Sequence, residues 1–547
     1  MLMGPSIVEA MQQTVVAGLQ RASVSTCSRW AEKYRVMGQP FPGNFSFTHH
    51  PWLRSIHDEL GDLIGMKAAQ MGYTETAMNK VFYTIDIKRQ NCLYILPAAN
   101  PDASDFTVTR FDPALELSPH LANLFSDVTN SRVKRSGSAC LFIRGSRSRT
   151  QLKSIPAALI IFDEVAEMVQ ENISLAKERG SGQQSLTLWY LSTPTLPNMN
   201  IDRMFNESTQ DHFFFRCPTC SKFTELPFFE SLVITGDRLD DPNLKNSYAI
   251  TQCGHALDFA SKHLAMQTGE WVPKFPNASI RGVYINQLYS SMPPCHPAKI
   301  AEATIRAQTD PAAEQELWNS KGGLAHIVDG ARLSDADFSS CAGTHKNGEL
   351  APNHLYKTMG IDVGKWFHYE IDAWHPREAT GPDVNNRHRP QCIEFGKVKD
   401  VAELYDTIRK HGVHFVVIDG NPEGRVAKEF VKSLGGAARM CYYGNNVTKR
   451  EMQDHPTEHY VTVDRTSWLD LSLGRYKNTD IILPANLNEE YQQNLKEPTR
   501  VYKNDAQGNP VGSYVGDGAD HYAHARNYAE IAFAIAMNNG FLENIYG

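Results

Sequence analysis

Short apolar runs alternate with polar, turn-rich stretches along this chain, and several of the runs stop at an acid. Leu159-Ile160-Ile161-Phe162 has the length and uniformity of a fully buried strand and ends at Asp163-Glu164. Leu63-Ile64-Gly65-Met66 leads into the small-residue turn Lys67–Gly72 and then a helix-like stretch from Tyr73. Cys92–Pro97 and Leu186–Leu191 predict two more strands, and this strand–turn–helix rhythm predicts a parallel α/β sheet. From Leu355 the pattern changes. Lys357–Val363 reads as a strand with Asp362 within it, Phe367–Trp374 alternates as its antiparallel neighbour, and Gln391–Val398 supplies a third strand. A helix, the buried strand Val413–Asp419, and a last helix opened by Gly516–His521 and running to about Met537 complete an RNase H-like order.

Composition narrows the class. A chain of 547 residues predicts about three domains, and a hydrophobic share of 41% with 21% charged residues is that of a globular protein. No apolar run approaches the roughly 20 residues that span a bilayer; no membrane partner is expected, and Val15–Leu19 lacks the layout of a signal peptide. The ten cysteines lack the spacing of a secreted disulfide scaffold, so thiols and a cytoplasmic setting are expected. A net charge of −7 excludes a surface coated in positive charge, which confines DNA contact to local patches. Arg132, Lys134, Arg135, Arg144, Arg147, Arg149 and Lys153 form the best such patch in the sequence, with a solvated loop as the other reading.

In doubly wound sheets the ligand cleft lies beyond the carboxyl ends of the strands. Asp163 is therefore expected to hold Mg²⁺ on a nucleoside triphosphate, with Glu164 as the catalytic residue that activates water. The turn Lys67–Thr74 departs from the regular phosphate loop: Gly72 and Thr74 stand where the terminal glycine and hydroxyl belong, Tyr73 takes the lysine's place, and Lys67 opens the turn. One ammonium and several N–H groups suffice for phosphates. ATP is expected at Lys67, Gly72, Tyr73 and Thr74, with Thr74 on Mg²⁺. Ser192 and Thr193, at the end of a neighbouring strand, are expected to sense the γ-phosphate and couple hydrolysis to movement.

Cys217-Pro218-Thr219-Cys220 reads as half of a structural zinc site, completed by Cys253 and His255. His212 and His263 remain open as the fourth ligand. Farther on, Asp362, Asp419 and Asp520 arrive from the first strand, the fourth strand and the last helix of the RNase H-like order. Three such carboxylates are expected to hold two Mg²⁺ or Mn²⁺ ions and to cut a phosphodiester. Asp517 is the alternative third ligand, and His524, one turn after Asp520, could orient water or be a surface histidine.

Lys67-Ala68-Ala69-Gln70-Met71-Gly72-Tyr73-Thr74 resembles the deviant Walker A of the large terminase subunits of lambda-type (GpA-like) tailed phages. In those proteins the lysine opens the loop and Gly-Tyr-Ser/Thr closes it. His50-Pro51-Trp52 is similar to the segment which that family places near the adenine, so Trp52 joins the ATP-binding residues. The family's cysteine ribbon usually carries two CxxC pairs, whereas Ile250 stands where the first cysteine of the second pair would fall. The resemblance runs from about His49 to Phe533. It implies an ATP-driven motor that packs double-stranded DNA into a procapsid and an endonuclease that cuts the concatemer. Further implications are a homo-oligomeric ring, pentameric by family likeness, docked on the portal in the host cytoplasm; a small terminase subunit as partner; and an arginine finger from Arg144, Arg147 or Arg149. The expected class is α/β multidomain. Residues 1–45 would contact the small subunit, 46–205 form an ASCE-type P-loop ATPase core, 206–285 a zinc-ribbon-like β insertion, 286–350 the ATPase completion and linker, and 351–547 an RNase H-like nuclease. Two other classes stay compatible: a DNA helicase or translocase with an appended nuclease, and a capsid-assembly protein with vestigial sites.

Overall fold

The computed structural model describes residues 24–126, 128–129, 132–152, 155–178, 185–376, 388–421, 424–444, 451–504, 510–516 and 518–538. The chain divides into two compact units, with the boundary between His326 and Ile327. Residues 327–350, expected to belong with the ATPase, thus fall in the second unit. Among the described residues no helix is long and apolar enough to cross a membrane.

The first unit is built on strands β1 (Leu63–Lys67), β2 (Cys92–Leu96), β3 (Ala139–Gly145), β4 (Leu159–Asp163), β5 (Thr187–Ser192), β6 (Asp211–Arg216) and β7 (Arg281–Ile285). They lie side by side in the order β6-β7-β1-β5-β4-β2-β3, all parallel, and antiparallel edge strands extend both ends. All residues of β1, β2 and β4 are buried, as expected of a parallel sheet covered on both faces. One strand, β5, separates the lysine strand β1 from the acid strand β4, which is the ASCE arrangement. Helix α1 (Tyr73–Tyr83) follows the turn after β1.

Two sequence boundaries are corrected here. The stretch 206–285 is not a separate insertion at its ends, because β6 and β7 pair in parallel with each other and β7 pairs with β1. Only the part between them forms small separate structure, including a three-stranded sheet of Leu232–Val233, Tyr248–Ile250 and Ala256–Leu257. Within residues 1–45, Cys27–Tyr34 is a helix whose Trp30 and Ala31 are fully buried in the main core, and Trp30 Nε1 donates to Asp86 at 2.8 Å. This part packs into the core of the first unit; residues 1–23 lie outside the described residues.

The second unit has strands β8 (Tyr356–Val363), β9 (Phe367–Pro376), β10 (His388–Val398), β11 (Phe415–Asp419), β12 (Ala438–Tyr443), β13 (Met452–His455) and β14 (Tyr460–Val463). Their order is β10-β9-β8-β11-β12-β14-β13, with β8, β9 and β10 an antiparallel meander and β11 parallel to β8. This is the RNase H-like topology. Helices α2 (Val401–His411), α3 (Gly424–Leu434), α4 (Arg465–Lys477) and α5 (His521–Asn538) complete it.

Helix α5 is buried from Tyr522 to Ala536. Its backbone lies so close to β8 that a Cβ at Gly360 would stand 2.0 Å from the Ala525 carbonyl oxygen, so only glycine admits this approach. Two charges ride inside the helix. Arg526 reaches Glu530 at 2.5 Å, Asp372 at 3.1 Å and Glu370 at 3.5 Å, and Arg475 of α4 reaches Glu530 at 2.6 Å. Glu370, Asp372, Arg526 and Glu530 are fully buried, so each charge depends on its partners to offset desolvation. The network fixes how α5 sits on β9, and thereby where the start of the helix falls.

Candidate functional site

The register Met66↔Ser192 and Asp163↔Leu191 brings the ends of β1, β5 and β4 to one edge of the first sheet. Lys67 Nζ lies 3.0 Å from Glu164 Oε1. Burial acts to lower the Lys67 ammonium, but Glu164 and Asp163 outweigh it and hold its pKa above the ordinary value. Asp163 accepts from Thr74 Oγ1 at 3.1 Å and from Tyr94 OH at 2.6 Å, both on Oδ2, while its buried Oδ1 has no hydrogen-bond partner. Burial, then Glu164, raise the Asp163 pKa against Lys67, Tyr94 and Thr74. A buried acid with one open oxygen beside a threonine hydroxyl is a donor set that fits a hard divalent cation.

Glu164 sits at φ +65°, in the left-handed region, which costs a non-glycine residue roughly 1–2 kcal/mol. The strain is held by its own N–H, which donates to Leu191 O at 2.8 Å, and it turns the carboxylate toward Lys67 and Ser192. Ser192 Oγ is 3.4 Å from Glu164 Oε2 and 2.8 Å from Thr193 O.

The turn itself is closed by Gly72 at φ +84°, where a Cβ would stand 2.6 Å from Leu53. Ala68 N donates to Ile285 O at 2.9 Å and Ala69 N to Ser320 O at 2.7 Å, so these two amides are engaged by the protein. The stretch around Ser320 also reaches the far side of the site. Asn319 Nδ2 and His326 N donate to Thr195 O at 3.0 and 3.1 Å, just beyond Thr193.

Three expected nucleotide contacts are placed elsewhere. Tyr73 is 1% exposed, with its ring beneath the turn against Gly65. Trp52 is also 1% exposed and donates to Met71 O at 3.3 Å, so both aromatics shore up the turn rather than face a ligand. Arg144 donates twice, to Arg132 O and Ile143 O at 2.8 Å, which ties it to its own neighbourhood. Arg147 and Arg149, by contrast, are exposed just past the carboxyl end of β3. Lys153 lies outside the described residues.

Between β6 and β7, Cys217, Cys220, Cys253 and His255 bring one ligand atom each within 4.8 Å of one another. Cys220 Sγ and Cys253 Sγ are 3.4 Å apart, and His255 Nδ1 is 3.4 Å from Cys253 Sγ and 3.7 Å from Cys217 Sγ. The Thr251 hydroxyl lowers the Cys253 thiol to about 7. Three thiols and one imidazole around a point are the chemistry of a closed tetrahedral zinc site. His212 instead pairs with Glu225 at 2.9 Å, and His263 bonds Ala260 O at 3.1 Å.

In the second unit, the pairing Ile361↔Ile418 sets Asp362 and Asp419 side by side at one sheet end. Burial and then the charge of Asp362, against the N–H of Asn421, push Asp419 up to about 6. Asp520 stands at the start of α5, 3.2 Å from His524 and 3.7 Å from Arg465 Nη2. Burial would raise it, but His524 and Arg465 outweigh burial and lower it. His524 Nδ1 is 2.9 Å from Tyr443 OH, which leaves its Nε2 toward Asp520. Asp517 lies outside the described residues.

Some members of these sites were missed in the sequence. Tyr94 hides in the apolar run Cys92–Leu96. His521 Nδ1 lies 2.8 Å from Asp362 Oδ2, which raises the histidine pKa. Its ring stacks on His368 at 4.4 Å; burial, then His521, lower His368 to about 4. Arg465 had a legible signal: a cation in the first turn of a helix opposes the dipole, so its position on α4 calls for an acidic neighbour.

An ASCE-type P-loop ATPase core joined to an RNase H-like unit is the class that this fold and these sites define. No curated protein matches the chain. The family described as phage terminase large subunit gpA, ATPase domain, matches residues 39–271. Among solved structures, the chain is similar to the HK97 bacteriophage large terminase at 10% identity, covering 92% of this chain and 98% of that one with a TM-score of 0.47. It is similar to the large terminase of a thermophilic bacteriophage at 10% identity, 87% and 95% coverage and a TM-score of 0.30. The magnesium-bound large terminase nuclease of thermophilic phage G20c aligns at 14% identity, 36% and 95% coverage and a TM-score of 0.23.

Proposed function

We propose that the protein is the large terminase subunit of a tailed phage: an ATP-driven motor that moves double-stranded DNA into a procapsid, and a metal-dependent endonuclease that cuts the concatemer. The convergence of Lys67, Thr74, Asp163 and Glu164, within a segment that matches a terminase ATPase family, carries this reading. Asp163 and Thr74 would hold the Mg²⁺ of the nucleotide, which would offset phosphate charge. Lys67 binds phosphate oxygens. As it does so it leaves Glu164, whose freed carboxylate takes the proton of the attacking water. Ser192 and Thr193 register the change at the strand end, and Arg147 or Arg149 of a neighbouring subunit supplies the finger in a ring. Asp362, Asp419 and Asp520 would hold the divalent ions of the nuclease, whose chemistry there would be activation of water and stabilisation of the leaving oxygen. The host cytoplasm, the portal and a small terminase subunit are the setting and partners consistent with this role.

Purified chain is expected to release phosphate from ATP in Mg²⁺ and to cleave plasmid DNA in Mn²⁺ without ATP. Absence of both activities under saturating conditions would refute the reading. Zinc on Cys217, Cys220, Cys253 and His255 is a separate proposal. Metal analysis is expected to give one zinc per chain, and Co²⁺ exchange the absorption of tetrahedral thiolate cobalt; a Cys253→Ser/His255→Ala chain that retains stoichiometric zinc would count against these ligands.

A further inference from the structure

The turn after Asp362 carries more chemistry than a tight reversal needs. β8 ends at Val363 and β9 starts at Phe367, so Gly364, Lys365 and Trp366 lie at the sheet end that holds Asp362. In the β9–β10 ladder His368 faces Lys397 and Phe367 faces Val398, which brings Lys397 and Lys399 to the same corner. The half-buried Trp366 ring has Lys399 Nζ 4.6 Å and Lys397 Nζ 5.7 Å from its centroid. Lys365, Lys397 and Lys399 are all exposed. Lys397 divides its charge with Glu490 at 2.5 Å, and Asp400 follows Lys399 at the start of α2, so Lys365 and Lys399 supply most of the local positive field. The corner is continuous with Asp362 through His368, stacked on the His521 that bonds Asp362.

A centre made of three carboxylates repels a polyanion, and a chain of net charge −7 gives no general attraction to offset that. Phosphates flanking the scissile one must therefore meet cations close to the acids. Lysines that reach phosphates, interleaved with an amphipathic ring, are the groups that hold a nucleic-acid backbone. We propose that Lys365, Trp366, Lys397 and Lys399 form the surface on which the nuclease unit grips the backbone of duplex DNA beside the scissile phosphate. The lysines bind phosphates and Trp366 packs on the sugar of the same strand. This rests on the reading of Asp362, Asp419 and Asp520 as a DNA-cleaving centre.

The test is single-turnover cleavage of a short duplex in Mn²⁺ by the full chain, with protein concentration and salt varied. Lys365→Glu/Lys399→Glu is expected to raise the half-saturating concentration about tenfold or more. It is also expected to flatten the dependence of log affinity on log salt by about two, near 0.9 per lost phosphate contact, while the saturated rate stays within about threefold. Trp366→Ala is expected to raise half-saturation roughly fivefold or more, and Lys365→Arg/Lys399→Arg to behave as wild type. ATP turnover and melting temperature report folding. Unchanged half-saturation and salt slope in the charge-reversed chain would overturn the proposal, as would an equal effect of Arg409→Glu/Lys432→Glu at the other end of the sheet. Loss of all DNA cleavage in the wild-type chain would instead overturn the nuclease reading, and the grip surface with it.

Discussion

Glu164→Gln is expected to lower ATP turnover by about a hundredfold or more while nucleotide binding is kept or tightened. A positioned base contributes about 10²–10⁴ in rate, and the amide cannot take a proton. Shape is conserved, so the left-handed backbone at residue 164 and its N–H bond to Leu191 should persist. The ion pair to Lys67 is lost, and this distinguishes a base from a mere spacer. In the wild-type site Lys67 must leave Glu164 to reach phosphate; in the variant it has no competing anion, so ATP should bind at least as well. Phosphate release and equilibrium titration with a fluorescent nucleotide measure the two halves. Turnover near wild type would remove Glu164 from the chemistry.

Asp362→Asn should abolish DNA cleavage to a similar or greater degree and leave ATP turnover intact. Even partners one bond removed from a metal cost about 10–100-fold when lost, and Asp362 is proposed as a direct ligand. The substitution replaces a buried carboxylate by a neutral amide of the same shape, so the second unit should stay folded; an unchanged melting temperature checks this. Plasmid cleavage across a Mn²⁺ titration separates the alternatives, since a weakened ligand set would recover at high metal whereas a lost one would not. Cleavage at the wild-type rate would exclude Asp362 from the centre.

The fold was largely legible because its core strands are local signals. Runs such as Leu159–Phe162 and Phe415–Ile418 are apolar over their whole length, and the acids that end them mark the sheet edge. The membership of β6 and β7 was not legible. β7 pairs with β1 across more than two hundred residues, and no periodicity within Asp211–Arg216 or Arg281–Ile285 announces a partner so far away. Likewise Trp52 and Tyr73 look like ligand aromatics in a linear motif, but their rings fill the space beneath a turn that Gly72 bends sharply. Contacts through single polar tips were the hardest to foresee. Tyr94 on Asp163 and His521 on Asp362 each depend on side-chain direction, which neighbouring residues in the sequence do not specify.

Ser320 holds the Ala69 amide of the turn after β1, Asn319 and His326 hold the carbonyl of Thr195, and Ile327 begins the second unit. The turn after β1 and the end of β5 are therefore tied to one another through this stretch. A displacement of either loads the same short stretch of backbone, and that stretch leads by one peptide bond into the rest of the chain. A shift of the turn is, at this point, a displacement of backbone with a length and a direction.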